Sequence, residues 1–323
     1  MVMAIRVHAT GGPDVMRAEE VAVAAPGPGE VVVRHTAIGV NYIDTYFRSG
    51  LYPQKLPFTP GNEAAGVVEA TGDGVDDVKI GDRVVYLHGP GSYAEKAVVP
   101  AVKLVPIPDG IGDEVAAAVL LKGLTAQYLL RRTFKVGAEH TLLIHAAAGG
   151  VGLIAGQWAK HLHATVIGTA GSEAKIELAR QNGYDHVINY ATSDFVAETL
   201  KFTDGKKLDV VYDSVGKDTF PGSLDVLKPL GLFVTFGQSS GPIPPFDVGI
   251  LNSKGSLFMT RPSLFAYNSA REVLLESAAE MFGLIKSGVL NIAVNQRFAL
   301  KDAARAHEAL ESRATTGATV LIP

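Results

Sequence analysis

Two hydrophobic rhythms divide the chain. Up to about residue 120 the apolar positions come in short runs broken by turn residues. Met3–His8, Glu30–Ala37, Gly66–Ala70 and Arg83–Tyr86 read as strands, with turns at Pro26–Glu30 (PGPGE) and Thr71–Asp77 (TGDGVDD). With no long amphipathic helix among them, these runs predict a compact β-barrel. One stretch departs from the alternation: Asn41–Tyr52 (NYIDTYFRSGLY) gathers Tyr42, Asp44, Tyr46, Arg48 and Tyr52. Side chains with an apolar body and a polar tip suit a cleft wall, and they equally suit a surface helix anchored by aromatics.

From Asp113 the rhythm changes. Asp113–Arg131 reads as a helix, and strands then alternate with helices: Ala164–Gly168 before Ser172–Gln181, and His186–Tyr190 before Asp194–Lys201. Asp209–Asp213, Leu232–Phe236 and Gly255–Thr260 are further apolar strands. Such alternation predicts a parallel sheet with helices on both faces. After Pro262 the order breaks into helices at Ala270–Ser287 and Lys301–Ser312, a strand-like Val289–Phe298 and a terminal strand, ATVLIP. These last residues are expected to return to the first domain, which sets the boundaries at 1–122, 123–262 and 263–323.

The pivot of the second half is Thr141–Lys160, TLLIHAAAGGVGLIAGQWAK. A buried strand, a tight turn of small residues and a helix start follow one another directly. Ala147, Gly149 and Gly152 stand where a dinucleotide-binding turn places G-x-G-x-x-G. A helix N-terminus offers unpaired N–H donors and partial positive charge, both suited to a diphosphate. The stretch Thr141–Ala159 lacks charge, but His145, the glycines and Gln157 interrupt it, so strand–turn–helix describes it better than a membrane span.

Composition narrows the classes. At 323 residues two domains are expected, and 47% apolar with 19% charged residues suits a folded α/β protein. A net charge of −4 gives no general pull toward nucleic acid or anionic membrane. The N-terminus, MVMAIRVHAT, lacks a signal-type apolar segment, so a cytoplasmic protein is expected. With no cysteine, disulfides, thiolate nucleophiles and cysteine-ligated zinc or iron–sulfur sites all drop out. None of the nine histidines falls in a metal-ligand spacing, so no metal is expected.

NAD-binding turns of this kind place an Asp or Glu about 20 residues past the glycines, for the ribose hydroxyls. Here the second strand ends in Ala170, Gly171 and Ser172, and Lys175 follows within a helical turn. A hydroxyl, backbone N–H groups and a cation suit a 2′-phosphate, which favours NADPH over NADH. Glu173 could serve a ribose, or could simply complement the helix dipole.

Long motifs then carry a resemblance from end to end: GVNYIDTYFRSGLY, GNEAAGVVEATG, GDRVVY, KGLTAQYLLR, HAAAGGVGLIAGQWAK, VINY, VYDSVG, FGQSSG, LFMTRPSL and HEALESRATTG. The chain resembles the quinone oxidoreductases, the zeta-crystallin-like, zinc-independent branch of the medium-chain dehydrogenases/reductases. The resemblance implies a GroES-like β-barrel catalytic domain built from both termini, around a Rossmann domain. It further implies NADPH, a cofactor and substrate cleft between the domains, and a homodimer formed through the Rossmann domain. Asn41, Tyr42, Ile43, Asp44, Tyr46 and Tyr128 would meet the nicotinamide end, with Pro262, Ser263 and Leu264 close to it. Gly150 and Val151, flanked by Gly149 and Gly152, would support the diphosphate. Gly171, Ser172, Lys175 and Tyr190 would hold the adenosine 2′-phosphate end, which Arg313 would also reach. Ser214, Phe236, Ser239, Ser240 and Gly241 would line the remainder.

Zinc-dependent relatives carry G-H-E in the barrel, whereas this chain has Gly61, Asn62 and Glu63. The implied activity is metal-free transfer of reducing equivalents from NADPH to a quinone. Tyr46 and Tyr52 are candidates for substrate positioning or proton donation, with Asp44 orienting them. The alternatives are an NADPH-dependent alkenal or enone double-bond reductase and, from another class, an NADPH-linked RNA-binding or structural crystallin-type protein. The acidic balance and the lack of a basic, aromatic-interleaved stripe disfavour RNA. A short-chain dehydrogenase is excluded because no Tyr is followed four residues later by Lys.

Overall fold

The computed structural model describes every residue, Met1–Pro323. In chain order the first part supplies β1 (Val2–Val7), β2 (Met16–Val21), β3 (Glu30–Val40), α1 (Tyr42–Ser49), β4 (Glu63–Thr71), β5 (Arg83–Leu87), β6 (Lys96–Pro100), β7 (Leu104–Pro106) and α2 (Asp113–Tyr128). The middle supplies β8 (Thr141–Ile144), α3 (Gly150–His161), β9 (Thr165–Ala170), α4 (Glu173–Gln181), β10 (His186–Asn189), α5 (Phe195–Phe202), β11 (Leu208–Asp213), α6 (Gly222–Asp225), β12 (Leu227–Thr235), α7 (Gly249–Ser253), β13 (Phe258–Thr260) and α8 (Leu264–Tyr267). The end supplies α9 (Arg271–Lys286), β14 (Val294–Ala299), α10 (Ala303–Glu311) and β15 (Ala318–Ile322).

Two compact units result: Met1–Lys122 with Ala270–Lys286 and Ile292–Pro323, and Gly123–Ser269 with Ser287–Asn291. In the first, a seven-stranded sheet runs β14-β15-β3-β4-β5-β7, with β6 also on β3. Register shifts at Val32/Val33 and His35/Ala37 bend β3 as it pairs with β4, the device by which a sheet curls toward a barrel. Ile5, Val31, Val33, Ile38, Val84, Leu104 and Leu321 fill one buried cluster inside it. Strand β15 pairs antiparallel with β3, with Thr319 opposite Val40, so the C-terminus completes the sheet begun by the N-terminus. This is the GroES-like barrel expected from both termini.

The second unit holds a six-stranded sheet in the order β10-β9-β8-β11-β12-β13, every pairing parallel. Renumbered within the unit, that order is 3-2-1-4-5-6, the doubly wound Rossmann arrangement. It reverses direction between β8 and β11, where ligands bind at the carboxyl ends of the strands. Leu143, Ile167, Val211, Leu224 and Phe233 form its buried core. The stretch 263–269, assigned from sequence to the terminal domain, clusters here instead. The reason is local: the Tyr267 ring stacks on Tyr128 at 4.6 Å, and its carbonyl accepts from Arg132. The helix expected to reach Arg131 ends as α at Tyr128 and continues as a π turn, Leu129–Thr133.

Candidate active site

The glycine turn sits at the carboxyl end of β8. Ala146 takes the left-handed conformation, at φ 55°, whereas Ala147 is absent from the positive-φ positions, which is why an alanine serves where the motif has its first glycine. Gly152 has no such freedom. A Cβ there would lie 2.4 Å from the Ala146 carbonyl oxygen and 2.6 Å from that of Ala147. Helix α3 starts with Gly149 as N-cap and no side-chain cap, so its first N–H groups, at Gly150 and Val151, keep their capacity for an anion. His145 holds the strand end below, 3.0 Å from Thr169 Oγ1 through Nδ1 and 3.0 Å from Ser223 Oγ through Nε2.

At the end of β9, Ser172 caps α4 with its side chain unused, and Lys175 lies in the first turn of that helix. The Tyr190 hydroxyl lies where a Cβ on Gly171 would come within 2.5 Å, so the phenol covers that glycine. Glu173, which could have served a ribose, instead accepts from Asn189 Nδ2 at 2.9 Å. Ser214, Phe236, Ser239, Ser240 and Gly241 come together after β11 and β12. The Phe236 N–H donates to the Asp213 carbonyl, that of Ser239 to Ser214 and that of Ser240 to Val215. Buried Asp213 shapes this edge by accepting from the Val215 and Gly216 N–H groups and from Thr219 Oγ1. Pro262, Ser263 and Leu264 follow β13, where Ser263 caps α8. All these residues, and Tyr128, belong to the second unit.

The first unit gathers the other set. A reciprocal capping box opens α1: the Asn41 side chain accepts from the Asp44 N–H, and Asp44 Oδ2 accepts from the Asn41 N–H at 2.8 Å. Gly50, at φ 84°, closes the helix. Asp44, Thr45, Tyr46 and Arg48 are buried, so this is no surface helix. Tyr42, Tyr46 and Tyr52 form an edge-to-face run, with centroids 5.6 and 5.2 Å apart. Ile43 lies between Tyr42 and Asp44 on the first turn. Arg313, left-handed at φ 60° after α10, belongs to this unit and bears electrostatically on Tyr42. Burial pushes the Tyr42 phenol up, Glu311 adds to that, and Arg313 and Arg48 oppose it.

Behind α1 lies a buried polar network. Asp44 accepts from Asn62 Nδ2 at 2.6 Å and from the Tyr93 hydroxyl at 3.0 Å. Its carboxyl is nevertheless pushed up to about 6, because burial and Glu63 outweigh those hydrogen bonds. Tyr93 also meets His307 Nε2 at 3.0 Å, and Arg48 Nη1 donates to His307 Nδ1 at 3.1 Å. Arg48, itself buried, makes a two-pronged pair with Glu311 at 2.9 and 2.7 Å. On the other side, Glu63 is fully buried and accepts from Asn41 Nδ2 at 2.7 Å, the Leu121 N–H at 2.6 Å and Lys122 Nζ at 3.3 Å.

Sequence reading missed Lys122, Glu63, Tyr93 and His307. Lys122 did leave a signal, since it is the single charge in Val115–Leu130. The others needed the fold, which draws them from β4, β6's approach and α10 to one helix.

Residues 27–109 match the family described as alcohol dehydrogenase GroES-like domain, and residues 150–277 that described as zinc-binding dehydrogenase. Barrel and Rossmann sheet together define the chain as a medium-chain dehydrogenase/reductase. A quinone oxidoreductase of Pseudomonas aeruginosa is 54% identical, with 100% of both chains covered. A 2-haloacrylate reductase of a Burkholderia species is 47% identical, covering 100% of this chain and 99% of that one. The crystal structure of the Escherichia coli quinone oxidoreductase complexed with NADPH matches with a TM-score of 0.98 and 51% identity, over 99% of this chain and 100% of the other. The chain belongs to the quinone oxidoreductase family.

The zinc that the second family description names does not fit these residues. The position of the His ligand is Asn62, whose Nδ2 is committed to Asp44, and the neighbouring Glu63 carboxylate already holds three donors. No group of three His, Cys, Asp or Glu side chains that could hold a metal ion is formed.

Proposed function

We propose that this chain is an NADPH:quinone oxidoreductase that transfers reducing equivalents to the quinone without a metal. The observation that carries the reading is the turn at the head of α3: Gly152 admits no side chain, and the uncapped helix start leaves its N–H donors for a diphosphate. A 2′-phosphate is served by Ser172, Lys175, the Gly171 backbone and Tyr190, with Arg313 as a further cation. Glu173, the one carboxylate at this strand end, accepts from Asn189 Nδ2 at its Oε1.

When bound, NADPH supplies a hydride from C4 of its dihydronicotinamide ring. The chain's own residues bind and orient. Asn41, Tyr42, Ile43, Asp44, Tyr46 and Tyr128, with Pro262, Ser263 and Leu264, are assigned to the nicotinamide end. The edge-to-face tyrosines 42, 46 and 52 offer flat faces and hydroxyl tips to a planar acceptor. Tyr46 and Tyr52 position the acceptor oxygens or pass on the proton that, with hydride, completes reduction to the hydroquinone. Buried Asp44 orients α1 through its capping box. A quinone is already a strong electron acceptor and can be reduced without a Lewis acid.

A second reading, reduction of the C=C bond of an α,β-unsaturated carbonyl, is favoured by the 47% identical 2-haloacrylate reductase. A panel of quinones and enones, assayed with NADPH and with NADH, tests both. Quinone turnover with strong NADPH preference is expected, and turnover of enones alone would replace the first reading by the second.

We further assign a homodimer through the Rossmann unit. Strand β13 is an edge of the parallel sheet and carries Phe258 60% exposed, which supports that assignment. A cytoplasmic location suits a protein that draws on NADPH. No helix is long and apolar enough to cross a membrane.

A further inference from the structure

The donor set that rules out a zinc ligand also contains a buried cation of its own. Lys122 is 6% exposed and its ammonium has two partners, Asn41 Oδ1 at 2.7 Å and Glu63 Oε1 at 3.3 Å. Glu63 in turn accepts from Asn41 Nδ2 at 2.7 Å. The Asn41 amide therefore lies in a fixed electric sense, with its oxygen toward the cation and its nitrogen toward the anion. Turning it over would bring Oδ1 against a carboxylate and Nδ2 against an ammonium, and would also break the capping bond from the Asp44 N–H to Oδ1. Gly39 makes the arrangement possible. A Cβ there would stand 2.3 Å from Glu63 Oε1 and 2.2 Å from the Ala117 carbonyl oxygen. One N–H of the Asn41 amide goes to Glu63, which leaves the second as a donor of fixed direction.

We propose that Lys122 and Glu63 are positioning residues: their ion pair, beside the Asn62 position where zinc relatives carry a histidine ligand, fixes the sense of the Asn41 amide so that its second N–H donates to an oxygen at the nicotinamide end of the cofactor. The carboxamide oxygen of that ring is an acceptor of the right class. The proposal rests on the assignment of Asn41 to the nicotinamide end, and it adds what makes that contact directional. Breaking the pair on one side leaves a buried charge unmatched, whereas removing both charges does not. That difference separates a structural role from a positioning one.

The test compares Lys122→Met, Lys122→Met with Glu63→Gln, Lys122→Arg and Asn41→Ala. The readouts are thermal unfolding, NADPH titration followed by the fluorescence of the bound dihydronicotinamide, and quinone turnover at saturating NADPH. Lys122→Met is expected to lower Tm, and the double variant to recover most of it. Recovery should not extend to turnover: kcat is expected to stay down about tenfold or more, with altered emission of bound NADPH, while its Kd changes less than about threefold. Lys122→Arg should keep kcat within about threefold, because it keeps the charge. Should the double variant regain both Tm and kcat, the pair is structural only and the proposal is overturned. A Lys122→Arg variant that folds but loses kcat as the double variant does would overturn it too, as would a double variant that does not fold beside such an Arg variant. Asn41→Ala tests the underlying assignment separately. If that variant keeps normal kcat and emission, the nicotinamide assignment of Asn41 fails, whatever the Lys122 variants do.

Discussion

Lowering the pH should destabilise the barrel unit through His307, and the structure sets the size of the effect. Burial, with the neighbouring Arg48 guanidinium, holds the His307 imidazole down to about 3. Arg48 donates to Nδ1, so the ring proton sits on Nε2 and is given to the Tyr93 oxygen, whose own hydroxyl donates to Asp44. Protonating Nδ1 would remove the Arg48 bond and set two cations face to face. In the unfolded chain the same histidine titrates near 6.5, so between about 6.5 and about 3 the unfolded state holds more protons, and stability falls with pH. At pH 5 the cost is 1.5 pH units at 1.36 kcal/mol each, or about 2 kcal/mol. Asp44 works the opposite way. Its carboxyl is raised to about 6, so its native state holds the extra proton and its share of the stability is lost as pH rises through 6. Comparison with a variant isolates the histidine. His307→Gln keeps a hydrogen-bonding side chain that does not titrate. Urea unfolding at pH 5, 6 and 7, followed by far-UV circular dichroism, measures the difference. The one tryptophan, Trp158, is in the other unit and would report on the wrong half. The stability gap between wild type and His307→Gln should narrow by about 2 kcal/mol from pH 7 to pH 5. Parallel pH profiles for the two proteins would refute the buried neutral imidazole.

Three further outcomes are expected. In Gly152→Ala the new Cβ, 2.4 Å from the Ala146 oxygen, forces the turn to open by at least about 0.6 Å, and NADPH affinity should fall about 100-fold with circular dichroism unchanged. Lys175→Ala should weaken NADPH binding by about 10- to 100-fold and NADH binding by less than about threefold in parallel calorimetric titrations, and equal losses would remove the phosphate assignment. Phe258→Asp, on the edge strand β13, should shift the sedimentation equilibrium toward monomer by about tenfold or more with Tm little changed, and an unaltered association would place the dimer contact elsewhere.

Chain order and short-range chemistry were enough to expect much of this protein. Strand–helix alternation after Asp113 implied the parallel sheet, because period and connection rules are local. The turn at Ala147–Gly152 was legible because close backbone approach needs glycine, and the missing cysteines and Asn62 bore on metal ligation before any fold was known. The Asn41–Tyr52 stretch announced polar-tipped aromatics but not their surroundings. Which groups meet behind that helix was settled only by the tertiary structure. Arg48 reaches Glu311 across 263 positions and Tyr93 reaches His307 across 214, and no periodicity encodes such partners. The titration of Asp44 and His307 is equally a matter of the folded chain, since their shifts come from burial and from charges that only folding brings near. Sequence thus determined which backbone could bind a dinucleotide. The fold decided which buried charges hold the neighbouring side chains in place, because desolvation and Coulomb energy depend on distance in space and not along the chain.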